Sequence, residues 1–208
     1  MINKILVNID DDPVKAVNFS IEIYLQGGIF IYPTDTIYGV GGNPFNKTAV
    51  DKINKLKSRT EKKQFILLIN NVETLLNYVE LEDKLHLDFL NKIWPAPVSV
   101  ILKLNNKTSR KLNGKTAAFR IPGNIFCKDL LNQLKAPLIS TSANKSNQKP
   151  LNNLSKIKDE FKSEVKAIFY TKSKLSSAAS TLIKLTGKNP VLLREGRIKF
   201  VDLMQKFT

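Results

Sequence analysis

Residues able to do polar chemistry gather at four places in this chain, each beside a short apolar run. They are Thr34-Asp35-Thr36, Lys57-Ser58-Arg59, Thr116 with Arg120-Ile121-Pro122, and Ser140-Thr141-Ser142-Ala143-Asn144. Ser180-Thr181 and Arg194-Glu195-Gly196 add two later features of the same kind. Lys57 and Arg59, one residue apart, suit a carboxylate or a polyphosphate, with arginine binding as a fork and lysine as a point charge. The same cations at a helix end also stabilise the helix dipole without any ligand. Arg120 ends an apolar strand, an unusual place for a charge that has no partner. The hydroxyl and amide groups at 140–144 offer short donors and acceptors, and they also suit turns and helix caps. Cations and hydroxyls without a nucleophile–base pair act by positioning and charge stabilisation. That chemistry suits phosphoryl or nucleotidyl transfer, in which magnesium and cations neutralise a leaving pyrophosphate.

Other chemistries fail on spacing. Gly114-Lys115-Thr116 resembles the end of a phosphate-binding loop, but position 109 is Ser where that pattern needs glycine. Gly39-Val40-Gly41 resembles a dinucleotide fingerprint, but Pro44 stands at the third glycine. His86 is the single histidine and lies in an amphipathic segment, so a serine-hydrolase base and a histidine metal site are both unsupported. Cys127 is the single cysteine, which excludes an intrachain disulfide and a cysteine zinc site. It reads as a small buried thiol.

The elements that must position these clusters follow from periodicity and breakers. Asp12-Pro13 reads as an N-cap and first-turn proline for a helix over 14–26, with Gly27-Gly28 closing it. A strand over 29–32 stops at Pro33, and the polar residues and glycines of 34–42 read as a loop forming a pocket wall. In that loop the glycines give room for a ligand and for tight packing. Helices are predicted over 47–57, 81–94, 126–134 and 198–207. Strands are predicted over 65–69, 98–104, 117–121, 137–140, 165–170, 180–185 and 191–194. The stretch 145–153 is the least regular, either a lid or an exposed loop. Mixed elements throughout predict an α/β protein with one twisted sheet and flanking helices.

The 208 residues, 42% of them hydrophobic, fit one large domain with a sizeable core. We expect a single unit over 1–208, with a core at about 14–197 and a terminal helix after it. No apolar run reaches the roughly 20 residues a membrane span requires, and the N-terminal apolar stretch is too short for a signal peptide. A soluble cytoplasmic protein is the expectation. The formal net charge of +15 attracts nucleotides, RNA or other polyanions. Lysine supplies most of the excess in an asparagine-rich chain, so a compositional bias of the source explains it equally well.

Taken in order, seven strings carry a resemblance: YPTDTIYGVGG (32–42), KSR (57–59), WPAPVSVIL (94–102), FRIP (119–122), PLISTSAN (137–144), AST (179–181) and VLLREG (191–196). Together they resemble the YrdC-like threonylcarbamoyl-adenylate synthases, in their short single-domain form. The resemblance implies a twisted, mostly open mixed sheet around a deep, positively charged cavity. It implies condensation of L-threonine, bicarbonate and ATP to threonylcarbamoyl-AMP and pyrophosphate, with Mg2+ on the ATP. The product would pass to a separate transferase complex that modifies adenosine 37 of tRNA to the N6-threonylcarbamoyl form. By the same resemblance, Thr34, Arg120, Ser140 and Ser180 contact L-threonine. Lys57, Arg59, Thr116, Ser142, Asn144 and Arg194 contact ATP, and Lys57, Arg59, Ser142 and Asn144 are the catalytic set.

Two departures stand out. Phe65-Ile66-Leu67-Leu68-Ile69 lacks the histidine that many members carry after the Lys-x-Arg motif, and Ser146-Asn147 replaces Ser-Gly. The following loop, 148–152, lacks the customary Thr or Ser, which puts nucleotide contacts from it in doubt. Two other readings remain open. One is a non-catalytic paralogue of the same fold that binds double-stranded RNA, tRNA or ribosomal particles. The other is an adenylating module of a larger carbamoyltransferase, a poor fit for a chain with one cysteine.

Overall fold

The computed structural model describes residues 5–57, 65–145, 150–161, 163–176 and 178–207. Among them run β1 (Ile5–Asn8), α1 (Pro13–Leu25), β2 (Phe30–Tyr32), β3 (Gly39–Gly41), α2 (Lys47–Leu56) and β4 (Ile66–Leu68). Then come α3 (Val72–Leu76), α4 (Lys84–Ile93), β5 (Val98–Lys103), α5 (Asn106–Leu112), β6 (Thr116–Arg120) and α6 (Ile125–Leu134). The last are β7 (Leu138–Ser142), α7 (Leu154–Phe161), β8 (Ala167–Tyr170), β9 (Thr181–Lys184), β10 (Val191–Arg194) and α8 (Phe200–Met204).

All the described strands form one twisted mixed sheet in the order β1-β8-β2-β3-β7-β4-β6-β5-β9-β10. The α/β class expected from the sequence is the one observed. Local chemistry explains the element ends. The Asp12 carboxylate accepts from the Lys15 N–H at 2.9 Å and caps α1. Gly27 ends that helix at φ +66, the left-handed region glycine enters freely. Asn46, Asn71, Asn105 and Asn124 cap α2, α3, α5 and α6 in the same way, so many of the asparagines are structural.

One expectation is corrected at the glycines. Gly39-Val40-Gly41 is not loop but the central strand β3, antiparallel to both β2 and β7. The reason is steric. A Cβ on Gly41 would sit 2.8 Å from a ring carbon of Tyr32 and 3.1 Å from one of Phe30. Two aromatics of β2 fill the space that side chains of β3 would occupy.

The core has two clusters, and their placement makes the site. Ile139, Leu67, Phe119, Val100 and Ile183 stand in register across β7, β4, β6, β5 and β9, inside one large apolar cluster. On the opposite face α1 and α6 cover one end of the sheet, packing Ala16, Val17, Phe126 and Leu130 against Phe30, Tyr32 and Phe169. Burial raises the Tyr32 hydroxyl and the Cys127 thiol well above their ordinary pKa ranges. The polar clusters meet at the other end of that face.

Candidate active site

A cavity of about 310 Å³ occupies that end. Its floor is a single register row, Ser140, Ile66, Ala118 and Ile101, from β7, β4, β6 and β5. The mixed sheet brings together residues that lie 74 positions apart in the chain (140 − 66). Thr34, Arg120, Ser140, Ser142, Ser180 and Arg194 all line this cavity.

Arg120 ends β6 with a side chain only 4% exposed. Its partner is Asp35, whose Oδ1 lies 3.0 Å from Nη2. Nη1 reaches the Thr36 hydroxyl at 3.4 Å. The buried Nε of Arg120 has no hydrogen-bond partner among the described residues. Buried polar groups are nearly always satisfied, so a donor left without an acceptor beside a cavity is an exception that calls for an explanation.

Arg194 approaches from the far edge of the sheet. Its Nε and Nη2 donate to the Ser180 carbonyl at 3.3 and 2.9 Å, and Nη2 reaches Ser180 Oγ at 3.4 Å. Burial lowers the Arg194 pKa, and the positive charge of Arg120 lowers it further. An anion in the cavity would relieve the Arg194 charge.

Thr34 is tightly committed. Its Oγ1 lies 2.7 Å from the Ile37 carbonyl, to which it donates, accepts from the Thr36 N–H at 3.1 Å, and meets the Thr36 hydroxyl at 2.9 Å. The donor proton is used in holding the loop, which leaves this hydroxyl to act as an acceptor or through its methyl group.

Lys57 and Asn144 lie behind the cavity wall. The buried Lys57 ammonium donates to the carbonyls of Ser142, at 2.8 Å, and Asn144, and to Asn144 Oδ1 at 2.6 Å. Ser142 Oγ donates to the same Oδ1. Lysine thus fastens the Ser-x-Asn turn from behind while Ser142 faces the cavity.

Thr116 lines a second cavity of about 560 Å³, between α2, α5 and the sheet, and is not among the described residues lining the first. Arg59 lies outside the described residues, as do Ser58 and 146–149 of the irregular stretch. His86 is buried, with Nε2 3.2 Å from the Lys188 carbonyl, remote from the cavity residues in every contact described.

The sequence reading missed Ser99 and Arg197. Buried Ser99 meets Ser180 Oγ at 2.9 Å. Arg197 Nη1 donates to the Asp35 carbonyl at 2.6 Å. A serine inside an apolar strand was the available signal for the first. For the second there was none, because the contact spans 162 residues.

The chain thus falls in the class of mixed α/β proteins that carry a cavity with arginines and hydroxyls on one face of the sheet. The sequence model of the Sua5/YciO/YrdC family, described as telomere recombination, matches residues 22–196, and the chain belongs to that family. E. coli YciO has the same fold at TM-score 0.86 and 26% identity, over 100% of both chains. Sua5 of P. abyssi, crystallised with L-threonine, matches at TM-score 0.87 and 23% identity, over 98% of this chain and 61% of its own. This chain thus spans about three-fifths of Sua5, and at that identity the likeness shows the fold. MTH1692 from Methanobacterium thermoautotrophicum matches at TM-score 0.65 and 26% identity, over 86% of each chain.

Proposed function

We propose that the protein is an L-threonylcarbamoyladenylate synthase supplying tRNA N6-threonylcarbamoyladenosine formation. The observation that carries this reading is the convergence of Arg120, Arg194 and the hydroxyls of Ser140, Ser142 and Ser180 on one cavity, with Arg120 Nε unpartnered. Membership of the family and the fold shared with a Sua5 that binds L-threonine support it.

In this reading Arg120 receives the threonine carboxylate as a charge-assisted contact. Ser180, held by Ser99 and Arg194, and Ser140 orient the amino-acid end. The threonine amine attacks CO2, formed when bicarbonate takes up a proton and loses water, and gives up a proton as the carbamate forms. A carbamate oxygen then attacks the α-phosphorus of ATP, and the bond to the β-phosphate oxygen breaks to release pyrophosphate. Arg194 and the Ser142–Asn144 turn stabilise the charge that builds there. The polar side chains lining the cavity are cations and hydroxyls, and the carboxylate of Asp35 behind them is engaged by Arg120. That set fits Mg2+ carried on the ATP phosphates, where it would neutralise the leaving pyrophosphate. Catalysis is by positioning, with no covalent enzyme intermediate.

The net charge of +15 favours a second reading, a double-stranded RNA-binding protein of this fold without synthase activity. One assay separates the two. Purified protein with ATP and Mg2+ is expected to release pyrophosphate only when L-threonine and bicarbonate are both present. Pyrophosphate release that ignores threonine, or none at all, rejects the synthase.

A further inference from the structure

Asp35 is held at three points. Its Oδ1 faces the Arg120 guanidinium at 3.0 Å, its Oδ2 accepts from the Gly123 N–H at 3.3 Å, and its backbone carbonyl accepts from Arg197 Nη1 at 2.6 Å. Arg197 belongs to the segment after β10, and its own N–H donates to the Ala179 carbonyl at 3.0 Å. One arginine therefore ties the loop carrying Thr34 and Asp35 to the segment carrying Ser180. Both segments line the cavity.

We propose that Arg197 and Asp35 are positioning residues for the amino-acid carboxylate. Arg197 fixes the Asp35 backbone, and Asp35 holds the Arg120 guanidinium in place at the cavity. The inference rests on the synthase reading. Arg120 sits at a strand end, and Asp35 is the one carboxylate ion-paired with it among the described residues. If the Arg197 tether is cut, the loop at 33–37 loses the bond joining it to the Ser180 segment, and Arg120 loses its fixed counter-charge.

The test uses the full chain with Arg197→Ala, Arg197→Lys and Asp35→Asn. Arg197 is exposed, so its replacement leaves the core intact. We expect Arg197→Ala to raise the L-threonine KM about tenfold, with the ATP KM within about twofold and the thermal midpoint little changed. Arg197→Lys, which keeps one donor for the Asp35 carbonyl, recovers most of the loss. Asp35→Asn raises the threonine KM at least as much. Calorimetric titration of L-threonine without ATP gives the same ranking independently of turnover. An unchanged threonine KM in Arg197→Ala overturns the proposal while the active wild type upholds the synthase. Equal rises in both KM values with a lowered midpoint overturn it as well, by showing a general structural role. A wild type that neither binds nor uses L-threonine removes the synthase reading and this proposal with it.

Discussion

Lys57 and Asn144 are joined twice through one ammonium group, which donates to the Asn144 side-chain oxygen at 2.6 Å and to its backbone carbonyl. The same ammonium donates to the Ser142 carbonyl at 2.8 Å. A buried cation with three acceptors is a structural clamp on the turn that presents Ser142. It can reach a phosphate only by giving up one of these bonds.

Replacing that cation is therefore expected to disturb the turn and the chemistry together. Lys57→Ala should abolish threonine-dependent pyrophosphate release and cost about 2–3 kcal/mol of stability, the scale of lost hydrogen bonds to a charged group. Denaturant unfolding followed by circular dichroism checks the second figure, and native secondary structure should persist in buffer. Full activity in Lys57→Ala would refute its role in presenting Ser142.

The Arg120–Asp35 pair sets a second expectation. Arg120→Ala leaves Asp35 with its buried charge unpaired, since the two side chains are 4% and 12% exposed. Breaking such a pair costs about 3–5 kcal/mol. Arg120→Ala/Asp35→Ala should be less destabilised than Arg120→Ala alone, and neither should bind L-threonine in a calorimetric titration. A single mutant as stable as wild type would contradict the buried pair.

Gly196 gives a steric prediction. A Cβ there would fall 2.5 Å from the Ser180 carbonyl carbon and 2.6 Å from its oxygen, both backbone atoms that cannot rotate away. Gly196→Ala must push the Ser180 segment or β10 aside, at about 1–3 kcal/mol. Thermal unfolding should show the loss, and the threonine KM should rise because Ser180 lines the cavity.

The raised groups fix the alkaline behaviour. Tyr24, Tyr32 and Cys127 are all shifted upward by burial, so the folded chain keeps protons that the unfolded chain releases. Their contribution is fully present below the ordinary thiol and tyrosine values and is lost as pH rises through that range. Each group that stays protonated only in the folded state lowers stability by about 1.4 kcal/mol per pH unit there. Urea midpoints measured from pH 8 to 11 should fall, most steeply above the tyrosine range. Cys127, 0% exposed and protonated, should resist a thiol reagent at pH 8 until the chain is unfolded.

The sequence was legible where chemistry is local. The Asp12-Pro13 start of α1 and the helical spacing of apolar residues in α1 and α2 placed those helices to within a residue or two, because capping and periodicity use neighbours three or four positions away. Short apolar runs ending at Pro33 and Pro122 located β2 and β6. The glycines of β3 were misread as loop because glycine carries no strand signal of its own. Its place there depends on Phe30 and Tyr32 beneath it. The short helices α3, α5 and α7 went unpredicted, since five to eight residues give too little periodicity. Strand β1 lies beyond the predicted elements, and parallel pairing with β8, 162 residues away at Ile5 and Ala167, decides it (167 − 5).

The site divides in the same way. By itself the sequence determined the family, the supply of arginines and hydroxyls, and the presence of each cluster beside a strand end, because residue type and nearest-neighbour spacing carry that information. Only the tertiary structure decided which of them meet. The mixed order of the sheet sets Ser140, Ile66, Ala118 and Ile101 in one row, turns Lys57 into a clamp behind Ser142, and gives Arg120 its partner in Asp35. The physical reason is that strand pairing and burial join residues across most of the chain, so a charge finds its partner by fold and not by sequence distance.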